Sequence, residues 1–148
     1  MSIQIVQAED IHIPELVPLL DGYRTFYKQP SDEMAAQQFL EERFRNKESV
    51  IFIALVEGKA AGFTQLYKSF STVSLQPLLI LNDLYVPAEY RNKGIGKALL
   101  LESQEYCRRK NYKGLGLETA IDNPAQKLYE QLGWEKDSHC FHYFWTVP

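Results

Sequence analysis

The chain is poor in what several large functional classes require. Its two cysteines, Cys107 and Cys140, cannot build a disulfide framework, so a reducing cytoplasm is the expected location. Cys107 falls within an apolar helical pattern and reads as a small core residue. Three histidines leave little from which to build a metal site. Two of them, His139 and His142, stand three apart in a strand-like segment and so point to opposite faces. No metal is expected. Ser69, Ser71 and Ser74 lack the G-x-S-x-G setting of a hydrolase nucleophile. No apolar run approaches the length of a membrane span, and the first residues lack the basic-then-apolar order of a secretion signal. Sixteen cations against nineteen anions leave a net charge of −3, which argues against a broad basic face for nucleic acid. There is no repeat, low-complexity tract or linker, so a single domain over residues 1–148 is expected.

What is present is an alternating α/β pattern. Ile3 and Ile5 alternate with polar neighbours as a first strand. Asp10 is placed to cap a helix with Pro14 near its start, and Leu16, Leu20, Tyr23 and Tyr27 follow helical spacing. Pro18 is awkward there and points to an irregular or later start. Ser31 reads as the cap of a second helix whose buried side includes Ala35, Phe39 and Phe44. Strands are expected over 50–57 and 61–71 around a Gly58-Lys59 turn, and over 78–86 as a nearly continuous apolar run. A helix over 95–110, a strand over 114–119 and a helix capped by Asn123 and ended by Gly133 follow. Residues 134–137 and 140–147 read as closing strands, and the alternation of Phe141, Tyr143 and Trp145 permits either an apolar dimer contact or a place in the core. The predicted order is β-α-α-β-β-β-α-β-α-β-β.

The run Leu84-Tyr85-Val86-Pro87-Ala88-Glu89-Tyr90-Arg91-Asn92-Lys93-Gly94-Ile95-Gly96-Lys97 is the most informative stretch. It takes a strand through a turn and two glycines into an apolar helix. Amides at a helix start have no intrahelical acceptor and sit at the positive dipole end, which suits a phosphate. Arg91, Lys93 and Lys97 add cations. Two phosphate-binding patterns fail. A Walker loop would need a glycine where Arg91 stands and a hydroxyl where Ala98 stands. A dinucleotide fingerprint would need a glycine where Leu99 stands. The pattern R-x-x-G-x-G, from Arg91 to Gly96, fits.

That loop, the strand Leu81–Val86 before it, and Asn123-Pro124-Ala125-Gln126-Lys127-Leu128-Tyr129-Glu130-Gln131-Leu132-Gly133-Trp134 after it resemble the GCN5-related N-acetyltransferase (GNAT) family. One departure is visible: Ala125 stands two places after Asn123, and Gln126 takes the usual alanine position. The resemblance implies the GNAT fold, a mixed and mostly antiparallel sheet whose central strands splay apart. It implies transfer of an acetyl group from acetyl-CoA to a primary amine by direct attack. Small amines, polyamines, amino acids and basic peptides are the implied acceptors. It assigns the cofactor to the backbone of Leu84, Tyr85 and Val86, to Arg91, Asn92, Lys93, Gly94, Ile95, Gly96 and Lys97, and to Asn123. It makes Tyr129 the general acid and places the acceptor near the first two helices, where Tyr23 and Tyr27 lie with Asp21, Asp32 and Glu33. An amine is almost wholly protonated at neutral pH, so a base is needed, and Asp83 beside the cofactor-pairing backbone is the candidate, with Glu118 the weaker one. Asp83 is also a candidate for acceptor binding. The alternatives are a noncatalytic CoA-binding sensor on this fold, transfer of another acyl group, and a nucleotide-binding module. A homodimer is implied by the C-terminal pairing frequent in the family.

Overall fold

The computed structural model describes residues 1–148. The chain divides into two compact units, Met1–Glu118 and Thr119–Pro148.

The first unit begins with β1 (Ile3–Gln7) and a 3-10 turn at Asp10–His12. Next come α1 (Ile13–Phe26), α2 (Glu33–Arg45), β2 (Ser49–Val56), β3 (Lys59–Ser71) and β4 (Gln76–Tyr85). A second 3-10 turn at Ala88–Tyr90 leads to α3 (Ile95–Arg109), and β5 (Leu115–Gly116) closes the unit. The strands lie in the order β1-β2-β3-β4-β5. The first three neighbouring pairs are antiparallel and the last is parallel. The mixed, mostly antiparallel α/β fold read from the sequence is therefore present.

The core has two faces because strand side chains alternate. On one, Ile51, Ile53 and Phe63 pack with Leu16, Leu20 and Leu40 of the first two helices. On the other, Phe52 meets Tyr106 of α3 edge to face at 5.6 Å. Leu99, Leu100 and Cys107 of α3 are buried as well. Each fully buried aliphatic or aromatic side chain contributes about 1.5–3 kcal/mol.

Local readings differ in instructive ways. The 3-10 turn places Pro14 in the first turn of α1, where its missing N–H costs nothing, and α1 then continues through Pro18. The cap of α2 is Asp32, whose carboxylate accepts from the Ala35 amide at 3.0 Å. Ser31 instead donates to Asp21 at 2.6 Å. The buried stripe of α2 is Ala36 and Leu40 with Phe44 packed beside them. Ala35 and Phe39 are exposed, one residue and so about 100° around the helix from the expected face.

The second unit holds α4 (Gln126–Gln131). The helix starts later than expected because Asn123 caps a preceding turn, accepting from the Ala125 amide at 2.9 Å. Its end matches the expectation. Gly133 has φ 92, its amide bonds to Glu130, and the Trp134 amide bonds to Tyr129 at 3.0 Å, the paired bonds of a Schellman turn.

The two closing strands expected over 134–137 and 140–147 are not formed. Alternating aromatics give a segment β propensity, but a strand exists only with a hydrogen-bonded neighbour. Phe141, Tyr143, Phe144 and Trp145 are exposed instead.

Candidate active site

The sheet opens beside β4. Its pairing with β5 is confined to Leu79 with Leu115 and Ile80 with Gly116. Beyond Ile80, β4 continues to Tyr85 against β3 on one side and has no strand neighbour on the other. The amides and carbonyls of that free edge can pair with an extended ligand as an added strand would.

The free edge leads directly to the start of α3. Gly94 caps this helix in the left-handed conformation, φ 84, and provides no side chain to satisfy the first amides. The Ala98 amide is the first to close back, onto Gly94. The amides of Ile95, Gly96 and Lys97 precede that first bond. A Cβ at Gly94 or Gly96 would have no atom within 4 Å, so the protein's own packing does not demand bare backbone at Gly96. An approaching ligand gives a reason for it. Ile95 is buried and pins the helix start. Gly62 on β3 lets it do so: a Cβ there would lie 3.0 Å from the Tyr85 carbonyl oxygen and 3.2 Å from Ile95 Cγ2.

Arg91 is partly engaged in shaping the loop. Its Nε donates to the Val86 carbonyl at 2.8 Å, and its guanidinium lies 5.4 Å from the Phe26 ring centre and 6.0 Å from that of Tyr85. Asn92 takes a left-handed φ of 61. Lys93 Nζ lies 5.8 Å from the Tyr90 ring centre, and Lys97 is exposed on the first turn of α3. These groups fit an anionic, extended ligand with a diphosphate.

Asp83 lies on β4 next to this edge and is 5% exposed. Asn82 forms a bulge: Gln65 faces Asp83, but Leu66 faces Leu81. Gln65 Nε2 donates to Asp83 Oδ2 at 2.6 Å and Asn82 Nδ2 to Oδ1 at 3.0 Å. Thr64 fixes the Asp83 carbonyl at 2.8 Å. Burial pushes the Asp83 carboxyl above the usual carboxylate range, and hydrogen bonds from Gln65, Asn82 and Tyr23 pull only partly back. Sequence reading did not find Gln65. The available signal was two adjacent polar residues, Thr64 and Gln65, within the otherwise apolar stretch from Ala60 to Tyr67.

Tyr23 of α1 is brought to the same place. Its hydroxyl donates to the Asn82 carbonyl at 3.3 Å, and burial with the nearby Asp83 charge raises its pKa. Its ring meets those of Phe63 at 6.0 Å and Tyr85 at 6.1 Å. Tyr27 caps the end of α1, 5.0 Å ring to ring from Tyr23, and is largely exposed. Asp21, in the segment where the resemblance places the acceptor, is bonded internally: Ser31 donates to it at 2.6 Å and the Asp32 amide at 2.7 Å. Glu118 is exposed. In the second unit, Tyr129 lies on α4 with its ring 5.9 Å from Trp134. Asn123 donates to Thr119 at 2.8 Å.

A free central strand edge runs into a glycine-started helix, with a buried acid beside it, an arrangement able to take an extended anionic ligand. A sequence profile of the acetyltransferase (GNAT) family matches residues 14–134. The chain belongs to that family and is an N-acetyltransferase. It is 44% identical over 145 residues to the uncharacterized N-acetyltransferase YhfO of Bacillus subtilis, covering 97% of each chain. A crystal structure of a probable acetyltransferase superposes with TM-score 0.92 at 38% identity, covering 98% of both chains. The aminoglycoside N-acetyltransferase AAC(6')-Iy in complex with CoA shares the fold, with TM-score 0.80 at 21% identity over 99% of this chain and 96% of that one.

Proposed function

We propose that the chain moves the acetyl group of acetyl-CoA to a primary amine by direct attack in a ternary complex. The observation that carries this reading is the unpaired β4 edge leading into the open Gly94–Gly96 helix start. Acetyl-CoA supplies the thioester. The amides of Ile95, Gly96 and Lys97, with Arg91, Asn92, Lys93 and Gly94 around them, are the seat for its diphosphate. The backbone of Leu84, Tyr85 and Val86 aligns the pantetheine arm, and one amide there faces the thioester oxygen. Losing one such donor costs about a hundredfold or more in rate. Asn123 contributes a further cofactor contact.

Asp83 is the base that takes a proton from the acceptor's ammonium. Its raised pKa brings it closer to neutrality, where a carboxylate base is more effective. Tyr129 is the acid that returns a proton to the departing sulfur; a phenol with a reference pKa of about 10 is matched to that task. Tyr23 and Tyr27 flank the acceptor, whose cation suits aromatic faces. The whole of 1–148 acts as one catalytic domain, in the cytoplasm, as a homodimer.

Thiol release from acetyl-CoA across a panel of small amines, polyamines, aminoglycosides, amino acids and peptides tests the reading. At least one amine should support turnover, and Tyr129→Phe should lower it while keeping CoA affinity. A chain that binds CoA but releases thiol with no amine is a sensor instead. A preference for propionyl- or succinyl-CoA would replace the acetyl assignment.

A further inference from the structure

Gln65 lies in the middle of β3 with no exposed surface at all. Its carboxamide has two ends, and the structure uses one. Nε2 donates to Asp83 at 2.6 Å, a short distance typical of a charge-assisted bond. That bond fixes which end of the amide faces the acid. The other end, Oε1, is buried without a hydrogen-bond partner. A buried carbonyl oxygen without a donor is costly, so it needs an explanation.

Asp83 presents the same imbalance. It is a nearly buried acid, yet it takes part in no ion pair. Its carboxylate receives only neutral donors, the amides of Gln65 and Asn82 and the Tyr23 hydroxyl. The titratable groups facing it are two phenols, Tyr23 of α1 and Tyr67 of β3. Burial and the Asp83 charge push Tyr67 up to about 12 and raise Tyr23 as well, so both stay neutral and neither offers a positive charge. The constellation therefore holds acceptors in surplus and lacks a cation with several N–H groups.

We propose that Gln65 is a positioning residue for Asp83, and that its Oε1 completes with the Asp83 carboxylate a two-acceptor seat for the acceptor's ammonium. This deepens the amine-acetylation reading and rests on it. An alkylammonium has three N–H donors and one positive charge. One N–H meets the carboxylate and a second meets Oε1. The clamp from Nε2 keeps the carboxylate aimed while the proton leaves the nitrogen for Asp83. A tertiary ammonium has a single N–H and meets only one of the two acceptors, so the seat favours primary and secondary over tertiary amines.

The test uses the full chain with Gln65→Met and, as a second variant of lower bulk, Gln65→Leu. Both keep the core apolar and remove both ends of the amide. The Asp83 carboxyl is followed by carbon-13 NMR, first against pH and then against n-butylammonium chloride. Loss of the Nε2 donor removes a hydrogen bond to the charged form, so the Asp83 midpoint should rise by about one pH unit. The dissociation constant for n-butylammonium should rise about tenfold, with CoA affinity within about twofold of the parent. An unchanged Asp83 midpoint in both variants overturns the positioning role. Unchanged n-butylammonium affinity overturns the seat. Neither titration reads turnover, so a failure of Asp83 as base is scored separately, by an Asp83→Asn variant that keeps the parent pH–rate profile.

Discussion

Asp21 and Asp83 are the same residue type, both nearly buried in the first unit, and their carboxyls shift in opposite directions. Asp21 receives the Ser31 hydroxyl at 2.6 Å and the Asp32 amide at 2.7 Å, which hold it below the usual carboxylate range against a smaller effect of burial. Asp83 also receives two close donors, at 2.6 and 3.0 Å, yet burial outweighs them and its pKa rises. The difference is one of place. Asp21 fastens the connection between α1 and α2, with Arg24 adding a favourable charge. Asp83 sits within the sheet among neutral groups. A carboxylate whose needs are met locally is a fastener; one left short keeps its charge in reserve for a ligand.

The sharpest way to break that contrast is to neutralise each in turn. Asp83→Asn should lower kcat/KM for the best amine by about a hundredfold, within the usual range for a general base, and leave CoA affinity alone. Asp21→Asn should leave kcat/KM near the parent value and lower stability by about 1–3 kcal/mol, the worth of hydrogen bonds to a charged group. Thiol-release kinetics and urea unfolding measure the two effects. If Asp21→Asn loses activity at full stability, the fastener reading is wrong.

Their stability profiles with pH should diverge too. The Asp21 pKa is depressed on folding, so its contribution is present above the unfolded value of about 3.9 and is lost as pH falls through the folded one. For Asp83 the folded pKa is the higher of the two. The folded chain then holds that proton longer, and stability declines as pH rises from about 3.9 through the folded value. Asp83→Asn should remove this decline and unfold at equal or higher urea at neutral pH. Urea midpoints from pH 3 to 8 compare the slopes; a parallel pair of curves would falsify the opposed shifts.

These contrasts also show what a sequence can carry. The start of α3 is legible because its determinants are local: two glycines, a preceding strand and an apolar helix within one run. The Schellman end of α4 is legible for the same reason, since Gly133 announces it. Asp83 stands out as an acid in an apolar strand. Gln65 does not, because its partner is fixed by the β3–β4 register, and the bulge at Asn82 shifts that register. The internal bonds of Asp21 are not legible in the sequence because its donors lie ten and eleven residues away, across a turn. The stretch over 140–147 misled in the other direction. Its alternation satisfies a strand's face but says nothing of a neighbouring strand to bond it.

A smaller effect separates the acid from the cofactor edge. Gly62→Ala places a Cβ 3.0 Å from the Tyr85 carbonyl and 3.2 Å from Ile95 Cγ2, and the first of these is backbone that cannot simply swing aside. The end of β4 and the start of α3 must move apart by a few tenths of an ångström. CoA affinity, read by calorimetry, should fall about fivefold to tenfold, in line with the loss of about 1 kcal/mol or slightly more. The Asp83 midpoint should move little, because Gln65 and Asn82 still hold its carboxylate.

The smallest change belongs to the second unit. Gly133 sits at φ 92, where a side chain crowds the following carbonyl, so Gly133→Ala should cost about 1 kcal/mol. The strain falls on the turn whose Trp134 amide bonds to Tyr129, and it should loosen the end of α4 before anything in the sheet. Amide exchange reads this directly. Protection should fall at Gly133 and Trp134 and hold at Phe63 and Leu81 in β3 and β4. A Tyr129 that acts as the acid would then lose turnover in proportion to the fraying, with CoA affinity at the α3 start retained. Equal loss of protection in both units would mean that Gly133 supports the whole fold rather than one helix end.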